Sequence, residues 1–164
     1  MIINKETKVT KDIANKKLVV VREFDAPLEQ VWHAWTDSNL LDQWWAPRPW
    51  KAQTKTMDFR EGGAWLYCMV GPDGSGTWCR VDFKTISKNK SFTSIDAFCD
   101  ENGTIDQNFP VMRWKSDFSE TNEGTKVKVE ITFDKEEDIQ KILELGFEEG
   151  FTMALGNLDE LLEK

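Results

Sequence analysis

The last thirty residues constrain the fold more than any other stretch. From Asp134 to Lys164, apolar residues recur at Ile139, Ile142, Leu143, Phe147, Phe151, Ala154, Leu158, Leu161 and Leu162. This is the three-and-four spacing of a one-sided helix, with no proline to interrupt it. The other face carries Glu136, Glu137, Lys141, Glu144, Glu148, Glu149, Asp159, Glu160 and Glu163. Asp134 is placed to cap the start, and Glu136, Glu137 and Asp138 fill the first turn, where the helix dipole favours negative charge. Gly146 and Gly150 sit one turn apart on the apolar side. A glycine costs about 1 kcal/mol relative to alanine in a helix interior, so the pair marks close backbone packing or space left open. One helix cannot bury such a stripe alone. The chain before it has to supply the covering surface.

That chain reads first as a strand and two short helices. Leu18 to Phe24 is β-branched, and Asp25-Ala26-Pro27 stops it with a proline suited to a first helical turn. Leu28, Val31, Trp32 and Trp35 share one helical face; Thr36-Asp37-Ser38 breaks and recaps the chain. Leu40, Leu41, Trp44 and Trp45 form a second short helix, ended by Pro47 and Pro49. The pattern then changes to period two. Strands are predicted over Lys51–Phe59, Ala64–Val70, Trp78–Ile86, Ser91–Cys99, Met112–Phe118 and Val127–Phe133, separated by turns such as Gly71-Pro72-Asp73-Gly74 and Asn122-Glu123-Gly124. Residues 1–16 form a polar, lysine-rich lead-in or edge segment, and 17–164 form one domain. The expected fold is α+β: a curved, six- to seven-stranded antiparallel sheet wrapped on a long C-terminal helix, with two short helices after the first strand.

Charge and composition exclude several functions. The formal net charge is −8, yet ten acidic residues against three lysines put −7 of it between Asp134 and Lys164. The acidity therefore belongs to one solvated helix face, and no basic stripe remains for nucleic acid. No apolar run reaches the 18 or so residues of a membrane span, and the N-terminus lacks the apolar core of a signal peptide. Cys68, Cys79 and Cys99 have no metal-type spacing and read as reduced thiols in the cytoplasm. His33, the single histidine, follows Trp32 in the first short helix and points outward, so neither a catalytic triad nor a histidine metal site has support. Arg60-Glu61-Gly62-Gly63 lacks the lysine and spacing of a phosphate loop; no cofactor motif is present. Eight tryptophans stand against one tyrosine, a surplus that can line something.

Several of these residues together resemble a known family. Ala26-Pro27, Val31-Trp32, Thr36-Asp37, Leu40, Trp44-Trp45 and Pro47 resemble the opening helix pair of the START-like helix-grip superfamily (SRPBCC, Bet v 1-like). More narrowly, they resemble the domains of the activator of heat-shock protein 90 ATPase homologue-like family. Asp58-Phe59-Arg60-Glu61-Gly62-Gly63 is similar to that family's Asp-Leu-Arg-Pro-Gly-Gly motif except at Phe59 and Glu61. Trp65, Tyr67, Met69 and the Gly71–Gly74 turn continue it, and Gly146-Phe147 with Gly150 sits where the family's last helix carries glycine. The likeness spans Lys17 to Leu162. It implies the helix-grip fold, and its members include apolar-ligand binders, cyclase-like enzymes, stress-associated proteins and chaperone regulators.

The candidate site lies between sheet and helix. Strand alternation puts Ser94 and Asp96 on the inward face of Phe92 and Phe98. A carboxylate in an aromatic cavity is costly unless paired, and its pKa should rise. Alternatively a twist or bulge takes Asp96 to solvent or to a structural arginine. The expected ligand-binding residues are Trp65, Tyr67, Trp78, Asp96, Phe98 and Trp114 on the sheet, with Phe147, Gly150 and Phe151 on the helix. The leading expectation is a hydrophobic or aromatic small molecule held there. A cyclase- or hydrolase-type enzyme using Asp96 is the second. A chaperone-interaction module is the third, and it predicts an exposed apolar patch at Trp44, Trp45 and Trp50.

Overall fold

Alternating burial runs the length of most strands: Leu18, Val20, Arg22 and Phe24 are buried while the residues between them are only partly covered. Such a strand needs a partner on its buried face. The computed structural model describes residues 6–163, and supplies that partner with four helices laid over one face of an antiparallel sheet. The elements run β1 (Lys8–Asp12), β2 (Lys17–Phe24), α1 (Leu28–Thr36), α2 (Ser38–Trp44), β3 (Lys51–Met57), β4 (Ala64–Val70), β5 (Gly76–Ser87), β6 (Ser91–Cys99), β7 (Met112–Glu120), β8 (Thr125–Thr132), α3 (Glu136–Glu144) and α4 (Phe147–Leu162). The sheet order is β1-β2-β8-β7-β6-β5-β4-β3. This is the helix-grip fold, with eight strands rather than six or seven.

The additional strand is β1, inside the segment expected to be a lead-in or edge segment, and it lies at the sheet edge. Lys8-Val9-Thr10-Lys11 pairs with β2 from Lys8↔Val21 to Asp12↔Lys17. Its lysines suit an edge, where charge deters pairing with a further chain. Met1 to Lys5 and Lys164 lie outside the described residues. Register slips at Thr54/Thr56 and Phe83/Thr85 mark bulges in β3 and β5, which bend their strands and deepen the gripping face.

Each short helix has a local cause. Pro27 follows β2 as the N-cap of α1, just before the first helical turn. Asp37 closes α1 through its backbone and caps α2, its carboxylate accepting from the Leu40 N–H at 3.1 Å. The long C-terminal helix is two helices. Gly146, at φ +87°, breaks it between α3 and α4 in the left-handed region that glycine reaches without penalty. Asp134 does not cap α3; Lys135 holds the cap position and Asp134 pairs with Arg113 at 2.8 Å.

The core lies between the sheet and α1, α2 and α4. Trp44, Leu41, Val31, Leu155 and Leu158 meet Leu18, Phe24, Val127 and Ile131 there, all essentially without exposure. Two residues of α4 tie it to the rest through buried polar contacts. Asn157 donates from Nδ2 to the carbonyls of Trp44 (3.4 Å) and Ala46 (3.0 Å). Arg22 of β2 forms a buried ion pair with Asp159, a residue that periodicity assigned to the solvated face.

Candidate functional site

Four neighbouring strands bring the sequence-assigned residues together. Tyr67 of β4 lies opposite Cys79 of β5, Val81 of β5 opposite Asp96 of β6, and Ser94 of β6 opposite Trp114 of β7. Side chains two apart on a strand share a face, so Trp65, Tyr67, Cys79, Ser94, Asp96 and Trp114 form one wall. Trp65 stacks on Tyr67 with centroids 4.0 Å apart. Its indole donates to Thr54 Oγ1 (2.9 Å), which in turn donates to Asp42 Oδ1 (2.6 Å), anchoring the wall to α2.

Phe147 and Phe151, one turn apart on α4, face this wall. Their rings lie 6.1 and 5.5 Å from that of Trp114. Gly150 sits beside them, where an added Cβ would meet Pro47 Cγ at 3.6 Å, an ordinary contact. Phe98 is half-buried at the rim and packs on Phe109 at 5.1 Å. Lys141 of α3 holds that rim from outside, its ammonium 5.0 Å from the Phe109 ring and donating to the Asn108 carbonyl.

Trp78 is not part of this wall. Its neighbour Cys79 faces inward, so Trp78 stands on the opposite side of β5, in line with Arg80 and Asp82 and with the Lys55 ammonium 5.8 Å from its ring. The sequence list joined it to the inward set although alternation separates the two. His33 is exposed, as expected.

Polar groups in the wall are few, and burial shifts those that titrate. Asp96 is buried, resolving the sequence alternative in favour of the interior, and Ser94 Oγ donates to its Oδ1 at 2.8 Å. Burial pushes its carboxyl up to about 7 against the lowering effect of Ser94. Burial also raises the Tyr67 hydroxyl well above its ordinary range and pushes the Cys79 thiol up to about 12. Cys79 is therefore a poor nucleophile. Trp114 is 6% exposed, and its indole N–H has no hydrogen-bond partner among the described residues. The same is true of Trp35. A buried donor left unmade costs about 1–3 kcal/mol, and the Trp114 ring that carries one packs against Phe147 and Phe151 of α4.

Aromatic rings occupy the space between wall and helix. Two clefts, of about 580 and 410 Å³, lie at the other end of the sheet around Pro27, Leu28, Phe118 and Glu120, and none of the sequence-assigned site residues lines them. The residue that fills the middle is Trp45, from the end of α2. Its ring lies 5.7 Å from Trp65, 5.9 Å from Trp114 and 5.8 Å from Phe151, and its N–H donates to Tyr67 Oη at 2.8 Å. Sequence reading placed Trp45 in an exposed patch with Trp44 and Trp50. Trp44 is instead fully buried, and Trp45 and Trp50 are half-buried. No group of three or more metal-ligating side chains occurs among the described residues.

Solved structures share this architecture. Protein Ms6760 from Mycobacterium smegmatis is 30% identical, with 95% of this chain and 96% of that one covered at a TM-score of 0.88. A protein from Arthrobacter aurescens is 33% identical over 95% and 91% of the two chains, at 0.90. A Staphylococcus epidermidis protein, 24% identical over 94% and 93%, shares the fold at 0.83. No curated protein matches the chain. Residues 25–163, from the end of β2 through α4, match the family model described as Activator of Hsp90 ATPase homolog 1-like protein, and the chain belongs to that family.

Proposed function

We propose that the protein binds an apolar or aromatic small molecule between the wall of β4–β7 and α4. The observation that carries this reading is the N–H of buried Trp114, unpartnered among the described residues, on a ring that packs against Trp45, Phe147 and Phe151. A ligand acceptor placed there would satisfy a donor that the fold leaves unmade. Asp96 and Tyr67 would orient the ligand's other polar group. Small-molecule sites have this composition, mostly apolar with a few fixed polar groups. Trp65, Tyr67, Asp96, Phe98, Trp114, Phe147, Gly150 and Phe151 are the residues assigned to it. Three cysteines without a disulfide support a reducing compartment such as the cytoplasm. Titrating the protein with flavonoid-like, fatty-acid and polyketide-like compounds, read by tryptophan fluorescence and thermal shift, tests the proposal. A saturable quench with a raised melting temperature supports it; no response to any class counts against it.

An enzymatic reading of the same site rests on Asp96. A carboxyl near 7 is poised to give and take a proton at neutral pH. On this reading Asp96→Asn keeps ligand binding and loses turnover, and equal turnover in the variant ends it. A chaperone-regulator role has the family's description in its favour. It would need a surface other than Trp44, which is fully buried.

A further inference from the structure

Among the described residues, Trp45 brings a ring to the wall from the end of α2, outside both the sheet and α4, and its placement has a chemical pattern. The indole ring lies among Trp65, Trp114 and Phe151, the rings assigned to hold a ligand. Its N–H reaches Tyr67 Oη at 2.8 Å. The Tyr67 oxygen accepts that bond, so with Trp45 turned away it would be left to receive a donor from the site. A fused aromatic ring with one polar hydrogen is thus what this surface already accommodates.

Trp45 is also placed to move. Trp35, Trp44, Trp65 and Trp114 are buried, whereas Trp45 is only partly buried. Asn157 bonds the carbonyls on either side of it, those of Trp44 and Ala46. The backbone is therefore pinned while the side chain is held only by ring contacts and one hydrogen bond. Rotation about its side-chain bonds would clear the site while giving up its ring contacts to Trp44 (5.2 Å) and Trp35 (5.9 Å). Replacing one fused ring by another conserves volume, which packed interiors tolerate best; a smaller guest would leave a void.

We infer that the ligand of this site is a planar fused-ring aromatic carrying an O–H or N–H donor, which takes the place Trp45 holds in this structure while Trp45 turns outward. The inference rests on the binding reading above. It adds the donor toward Tyr67 and the displaced side chain.

The test uses the full chain labelled with 5-fluorotryptophan, with the Trp45 resonance assigned from the spectrum of Trp45→Phe. The probes are 2-naphthol, which has the fused ring and the donor, and naphthalene, which has only the ring. The expected result is that 2-naphthol binds at least tenfold tighter than naphthalene and moves the Trp45 fluorine to a solvent-sensitive position. Tyr67→Phe should remove the preference between the two probes, and Trp45→Ala should bind 2-naphthol at least tenfold tighter than the parent. Should Trp45→Ala fail to fold, the parent's fluorine spectrum decides alone. Binding of 2-naphthol with the Trp45 resonance unmoved overturns this inference and leaves the binding reading standing. No binding of 2-naphthol also overturns it, while the broader compound panel decides the binding reading separately.

Discussion

Asp96 shows how one side chain carries both a cost and a signal. Its carboxyl titrates near 7 in the folded protein against 3.8 for an ordinary aspartate. Below pH 3.8 it is neutral in both states, and its burial makes no demand on stability. As pH rises toward 7 the unfolded chain ionises first, so folding loses stability, by up to roughly 4 kcal/mol over the three-unit window. Above 7 the loss is complete and flat. Asp96→Asn should therefore gain stability relative to the parent between pH 3 and pH 8, as read by urea denaturation at the two values. A constant difference across that range would contradict the assignment. Asp96 was legible in the sequence because period two placed it with Phe92 and Ser94. The same rule applied to β5 separates Trp78 from Cys79, and applied to β2 puts Arg22 on the face of Val20 and Phe24. Asn157 had no such signal. Its role depends on two carbonyls more than a hundred residues away, which no local pattern encodes. Trp45 was equally hidden, since a tryptophan between a helix end and two prolines looks the same whether it faces water or core.

At the scale of elements, the C-terminal helix is the instructive case. Its apolar stripe continues across the break, so periodicity reads one helix where there are two. The glycines that seemed a pair act differently. Gly146 adopts φ +87° with nothing near its missing Cβ, so its need is conformational. Gly150 lies inside α4 with room for a methyl group against Pro47. Gly146→Ala should lower stability by about 1–2 kcal/mol, the cost of a left-handed alanine. Gly150→Ala should raise it by up to about 1 kcal/mol through helix propensity. Paired denaturant melts check both, and effects of the same sign would contradict the division. The strands were read almost to their ends because each hairpin has one wet and one dry face. β1 was missed as a strand since its lysines weaken the alternation, yet an edge is where such a strand belongs.

For the whole molecule, the grip is closed by few polar ties. Arg22–Asp159 joins β2 to α4, and Asn157 joins α4 to the end of α2. Removing one partner of a buried ion pair costs about 3–5 kcal/mol, because the other charge is left in the interior. Arg22→Ala should show a loss of that order in chemical denaturation with the fold retained; a loss under 1 kcal/mol would mean the pair is hydrated. The family fold and the location of the wall followed from sequence, since both rest on periodicity and on motifs at turns. The filling of the grip did not, because whether rings meet or leave a gap depends on angles that composition does not encode. The most direct test of the site is calorimetric titration of the best-binding aromatic compound into the parent, Trp114→Phe and Trp78→Phe. Losing one buried hydrogen bond to the ligand predicts roughly tenfold weaker binding for Trp114→Phe, and unchanged binding for Trp78→Phe on the outer face. Equal affinity in the parent and Trp114→Phe, or a loss confined to Trp78→Phe, would place the ligand elsewhere and contradict the account.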